Sequence, residues 1–139
     1  MDSNGMPNYE STYLATFQVG GWDADPYTVS GSNSDLSQVQ STKDFEGDIE
    51  GVSYGRMLMA GNSIGAGYVA SEVFVGAVGD RTGSFVFQHW GLAEGAAAAS
   101  SGNIVPGSGT GELADISGHL TVWQDADGVH RIRLEIPQR

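Results

Sequence analysis

Two runs rich in Val and Phe flank a glycine-bounded turn in ASEVFVGAVGDRTGSFVFQHWG, residues Ala70 to Gly91, a composition that reads as an antiparallel β-hairpin. If the turn is symmetric about Asp80 and Arg81, pairing sets Val78 opposite Gly83, Gly76 opposite Phe85, Phe74 opposite Phe87 and Glu72 opposite His89. Side chains alternate along a strand, so all of these share one face. That face is aromatic and small, except at its far end, where a carboxylate meets an imidazole. A one-residue slip would send the two to opposite faces.

The rest of the chain keeps the same rhythm. Residues 1 to 10 have no periodicity and read as a polar tail before a single domain over residues 11 to 139. Ser11 to Val19 alternates as a first strand. Gly20 to Asp35, rich in Gly, Ser, Asn and Asp and carrying Trp22 and Tyr27, reads as a long loop of the kind that caps a mouth. Leu36 to Glu46 and Val52 to Ala60 are strands around the turn Gly47 to Gly51, and Gly61 to Gly65 turns the chain into the hairpin. Ala93 to Val105 has the alanines of a helix, but Gly95 and Gly102 bracket it, and a sixth strand is the better reading. Gly118 to Gln124 and Val129 to Ile136 form a last hairpin about Asp127-Gly128. An even turn there pairs Trp123 with Ile132 and points both inward. Eight strands joined mostly by short turns predict an all-β fold, a closed eight-stranded antiparallel up-and-down barrel, because closure removes exposed sheet edges. Such a barrel is filled by side chains or holds one small ligand. Gly55, Ala70, Gly76 and the Ala/Ser run of the sixth strand suggest room for a ligand.

Composition narrows the function. With 17 acidic and 6 basic residues, the net charge of −11 disfavours nucleic acids and anionic membranes. The chain has no Cys, so thiolate chemistry and Cys-ligated zinc are excluded. His119 and His130 fit no metal-ligand spacing, and we expect no metal and no cofactor. The start of the chain lacks a signal-peptide pattern and no apolar run reaches membrane-spanning length, which leads us to expect a cytoplasmic protein.

Several phrases resemble a bacterial family catalogued as domain of unknown function 3224: Phe45-Glu46-Gly47-Asp48-Ile49-Glu50-Gly51, Met57-Leu58-Met59-Ala60, Ser71-Glu72, Arg81 to His89, and Val105 to Leu113. They span most of the chain in family order. The resemblance implies an allene oxide cyclase-like barrel, whose relatives include allene oxide cyclases, dirigent proteins and bacterial cyclases that fold polyketide chains. Barrels of this kind often pair through their walls, so a homodimer is expected. Two positions depart from the family's pattern: Arg56 stands where a Glu is usual, and the sixth strand lacks a Trp before Val105-Pro106-Gly107.

Glu72, His89 and Arg56 are the candidate catalytic residues. In an apolar interior, desolvation would raise the Glu72 pKa and make it a proton donor. His89 would titrate with it as a pair, and an odd-length connection through Ile64 would set Arg56 beside them to bind an anionic head. Tyr54, Tyr68, Phe74, Phe85, Phe87 and Trp123 are the candidate substrate-binding residues, and Trp90 is a further aromatic able to shape a pocket. Lys43, in phase with Val39 and Phe45, reads as a rim lysine, and Asp125 with His130 as a rim pair. The function expected is a cofactor-independent cyclase or isomerase of an apolar, polyketide-like intermediate, by a [4+2] or an epoxide-opening closure. The alternatives are a barrel that binds or carries a hydrophobic small molecule without transforming it, and a protein-interaction role for the outer face.

Overall fold

The computed structural model describes residues 9–95 and 97–137. Nine strands and no helix occur among them: β1 (Tyr9–Tyr27), β2 (Asp35–Gly47), β3 (Ile49–Gly61), β4 (Gly65–Val78), β5 (Arg81–Glu94), β6 (Ala97–Ile104), β7 (Thr110–Gly111), β8 (His119–Gln124) and β9 (His130–Pro137). Eight of these close an antiparallel barrel in chain order, with β6 pairing to β8, β9 returning to β1 and β4 hydrogen-bonded to β5. The two-residue β7 is an appendage on β5 at Gly83 and Ser84. This is the all-β closed meander that the strand rhythm predicts.

Inward positions fill one half of the barrel. Phe45, Phe74, Phe85, Phe87, Ile104, Leu120 and Leu134 are buried together, and the segment between β7 and β8 folds Leu113 and Ile116 into the same cluster. Each such side chain contributes roughly 1.5–3 kcal/mol by leaving water. A smaller cluster of Val39, Met57 and Ala70, with Met59 and Tyr68 against it, lies apart from this plug.

The strands differ from their expected bounds in ways that matter for the site. Residues 1–8 of the expected tail lie outside the described residues, while Tyr9 and Glu10 already belong to β1, with Tyr9 opposite Pro137. Gly20 to Tyr27 is not loop: β1 runs through it against β2 across a bulge between Val19 and Gly21. Only Asp48 separates β2 from β3, its backbone N–H donating to the Leu14 carbonyl and its side chain accepting from the Leu14 N–H. β5 runs on to Glu94, so β6 starts only at Ala97.

Two hairpin registers also change. The β4–β5 turn is Gly79-Asp80, with Gly79 at φ 62, the left-handed first position that a tight hairpin turn assigns to glycine. Val78 therefore lies opposite Arg81, Glu72 opposite Phe87 and Ala70 opposite His89. The shift is by two residues, so every side chain keeps its face. In the β8–β9 hairpin the change is by one. Asp125 N–H bonds the Val129 carbonyl around a three-residue loop ending at Gly128, φ 83, and Val122, not Trp123, faces Ile132. Trp123 is thereby turned off the Ile132 face toward the outer wall, where the Arg133 guanidinium lies 5.2 Å from its ring centroid, while it still borders the open half of the barrel.

Candidate functional site

Glu72 is the hub of the interior. It is 1 % exposed and its side chain lies over Gly55, the residue opposite it on β3. Ser53 donates to Oε1 at 2.7 Å, Lys43 donates to Oε2 at 2.7 Å, and His89 Nε2 bonds the same Oε2. Burial alone would raise the Glu72 pKa, but the His89 hydrogen bond and the Lys43 ammonium outweigh it and hold the value down to about 2. The expected proton donor is thus a fixed carboxylate. Lys43, expected on the rim, is 7 % exposed and belongs to the same cluster.

The chain of hydrogen bonds continues outward from His89. Its ring stacks on Phe87, with centroids 5.5 Å apart, and its Nδ1 is 2.8 Å from the Tyr68 hydroxyl, which also bonds Ser100 Oγ. An ionised Glu72 only accepts, so Nε2 carries a proton; in the neutral imidazole Nδ1 is then the acceptor, and Tyr68 donates to it. Burial raises the Tyr68 pKa, the Ser100 hydrogen bond opposes this and the Glu72 charge adds to it. Tyr68 is therefore held as a neutral phenol. The connected set is Lys43, Ser53, Glu72, His89, Tyr68 and Ser100, drawn from β2, β3, β4, β5 and β6.

This set ends on a cavity of about 550 Å³ in the unfilled half of the barrel. Phe17, Met57, Met59 and Val122 give it apolar walls, Lys43, Tyr68, His89, Ser100 and His130 its polar ones, and Trp22 and Leu92 also line it. A larger concavity of about 810 Å³ runs along the outer wall past Leu58, Val69 and Trp90. Its polar side chains Gln38, Arg56, Ser71, Gln88 and Asn103 are solvent-exposed, and the one buried polar group beside it, His89, has both ring nitrogens bonded on the inside, to Glu72 and Tyr68.

Several expected members of the site lie elsewhere. The β3–β4 connection is an even four-residue turn, Gly61 opposite Ala66, which places Arg56 opposite Ser71 on the outer wall, away from Glu72. Tyr54 is on that wall too and is 57 % exposed, as is Trp90 at 50 %. Phe74, Phe85 and Phe87 are inside, but all three belong to the packed half, and Phe87 reaches the site only by stacking on His89. Asp125 pairs with Arg131 at 2.7 Å rather than with His130, and the His130 ring stacks on Phe17. Gly55 and Gly76 leave no vacancy for a ligand: a Cβ on Gly55 would sit 2.7 Å from Glu72 Cγ, and one on Gly76 2.9 Å from Phe74 Cζ. Lys43, Ser53 and Ser100 are the members not anticipated. Lys43 had a usable signal, its phase with Val39 and Phe45; Ser100, inside an Ala/Ser run, had none.

The seat of Glu72 on Gly55 is testable. Gly55→Ala is expected to lose roughly 1–3 kcal/mol of stability, because the new methyl pushes the carboxylate off its three donors. Urea denaturation measures this, and an unchanged midpoint would mean that the carboxylate does not depend on that seat.

A family model described as protein of unknown function (DUF3224) matches residues 13–136. A crystal structure of a protein with unknown function from the DUF3224 family, from Shewanella oneidensis MR-1, superposes with a TM-score of 0.77 at 30 % identity, covering 91 % of this chain and 95 % of that one. Among curated proteins no relative matches.

Proposed function

The chain belongs to the DUF3224 family of proteins of unknown function, and from that premise we propose that it is a cofactor-independent cyclase or isomerase acting on an apolar, polyketide-like molecule in the open half of the barrel. The observation that carries this reading is the hydrogen-bonded chain Glu72–His89–Tyr68, which starts at a buried carboxylate and ends at a phenol on the wall of an apolar cavity. The arrangement follows the logic of a carboxylate–histidine–hydroxyl triad: Glu72 fixes the tautomer and orientation of His89 and stabilises its cation, and His89 governs the proton of Tyr68.

Tyr68 takes the role that sequence reasoning gave to Glu72. In an epoxide-opening closure, the hydroxyl turns its one proton from His89 Nδ1 to the epoxide oxygen as charge develops there. The vacated Nδ1 takes up the proton released by the attacking hydroxyl and passes it back to the Tyr68 oxygen. Net, one proton moves from one substrate oxygen to another and a C–O bond is exchanged for a C–O bond, which is an isomerisation. The apolar wall holds the flexible chain in a reactive fold, an entropic contribution that in favourable cases reaches about 7 kcal/mol. A chain without cysteine suits a cytoplasmic setting for such chemistry.

A long-chain epoxy-alcohol whose closure gives an oxolane tests this directly. Closure is expected at least about a hundredfold faster than in buffer, followed by gas chromatography. Binding of the epoxy-alcohol, seen by displacement of Nile red, without any closure would instead identify a non-catalytic carrier.

A further inference from the structure

Lys43 is the only lysine among 139 residues, and it is not on the surface. Lysine side chains are ordinarily solvated, and a chain with this acidic balance has many exterior carboxylates that a lysine could face. Its single amine is instead buried in the lumen, 2.7 Å from Glu72 Oε2 and 5.2 Å from the centroid of the Phe17 ring. It is also part of the cavity wall. We infer that Lys43 is a covalent attachment point for an apolar aldehyde, which it holds as a protonated imine with Glu72 as counter-ion.

Three features of the site match that chemistry. First, the amine borders a cavity with apolar walls, which selects a greasy carbonyl compound over a polar one. Second, the carboxylate that now pairs with the ammonium would pair equally with the iminium, so the buried charge balance is unchanged by condensation. Third, Glu72 and His89 form a proton relay in contact with the nitrogen.

The step is balanced. The ammonium passes a proton to Glu72, and the freed nitrogen lone pair attacks the carbonyl carbon. The C=O π pair moves to oxygen, which takes the proton back from Glu72, and the attacking nitrogen then sheds its second proton to Glu72, giving the neutral carbinolamine. Glu72 returns that second proton to the hydroxyl, which leaves as water while the restored nitrogen lone pair closes the C=N bond. Overall, an aldehyde and a lysine ammonium become an iminium and one water, with no net proton or electron change. Condensation needs the cavity, Lys43 and Glu72, and none of it depends on Tyr68, so it goes beyond the isomerase reading and does not stand or fall with it. The epoxy-alcohol contains no carbonyl, so its closure reports on that reading alone.

A single lysine makes the test selective. The full chain is incubated with decanal and sodium cyanoborohydride, which reduces an iminium irreversibly, and then analysed by intact mass and peptide mapping. The expected result is one decyl group on Lys43, gained at least about tenfold faster than the corresponding adduct from polar glycolaldehyde. The preference should vanish in urea, where the cavity is absent. Lys43→Arg keeps a cation against Glu72 and should abolish the adduct at this position, leaving only slow labelling of the N-terminal amine. Met57→Trp, which adds bulk to the cavity wall at the residue opposite Val39 rather than opposite Lys43, should slow the decanal reaction toward the glycolaldehyde rate. Labelling confined to the N-terminus, or equal rates for the two aldehydes in the folded chain, would overturn the inference. Wild-type mapping decides this even if either variant fails to fold.

Discussion

Replacing Glu72 by Gln is expected to cost about 3–5 kcal/mol of stability, the range for removing one partner of a buried ion pair. The amide keeps the shape and can still accept from Ser53, but Lys43 would remain buried with its charge uncompensated. Urea denaturation gives the measurement. The second arm of the cycle separates charge from packing: Lys43→Met added to Glu72→Gln should recover most of the loss, because the stranded cation is gone. Acid titration offers an independent check with a definite sign. The folded Glu72 pKa of about 2 lies below its ordinary value of 4.5, so its contribution is fully present above about pH 4.5 and drains away as the pH falls toward 2. That contribution is roughly 3 kcal/mol, and the acid limb should flatten in the double variant. A Glu72→Gln protein as stable as wild type would mean that the ammonium escapes to solvent and the network is not closed.

Face, rather than register, was the part of the site legible in the sequence. The alternation of Glu72, Phe74, Phe85, Phe87 and His89 survives a turn displaced by one residue, because the displacement moves each cross-strand partner by two and leaves its side orientation intact. The last hairpin had no such protection. There the Asp-Gly signal admits a two-residue turn or a three-residue loop with a left-handed glycine, and the choice between them turns Trp123 outward. Arg56 failed for a related reason, since the parity of a turn containing Asn62, Ser63, Ile64 and Gly65 is set by the bond from Asn62 N–H to the Gly65 carbonyl and not by composition. The ionisation state of Glu72 was out of reach for a different cause. Whether a buried carboxylate is raised or lowered depends on which donors meet it, and Lys43 and Ser53 come from strands 29 and 19 residues away. Glycine positions were legible as small but not as vacant, because Glu72 and Phe74 occupy the volume above Gly55 and Gly76.

Tyr68→Phe is expected to lower closure of the epoxy-alcohol by about 10²–10⁴-fold, the usual range for removing a positioned proton donor, while Nile red displacement by the substrate stays within about twofold. The two readouts part because the ring, which supplies the apolar contact, is kept, and only the hydroxyl between His89 and Ser100 is lost. The stability loss should be modest, about 1–3 kcal/mol for two part-buried hydrogen bonds, so the variant can be assayed under wild-type conditions. His89→Gln should slow closure comparably if the two act as one unit, and the double variant should then be little slower than either single one, as expected for residues that share a single proton. Full additivity would separate Tyr68 from the relay and leave it a hydrogen-bond donor fixed by packing. Closure unimpaired in Tyr68→Phe would remove the phenol from the chemistry, and the barrel would then act by the shape of its cavity alone.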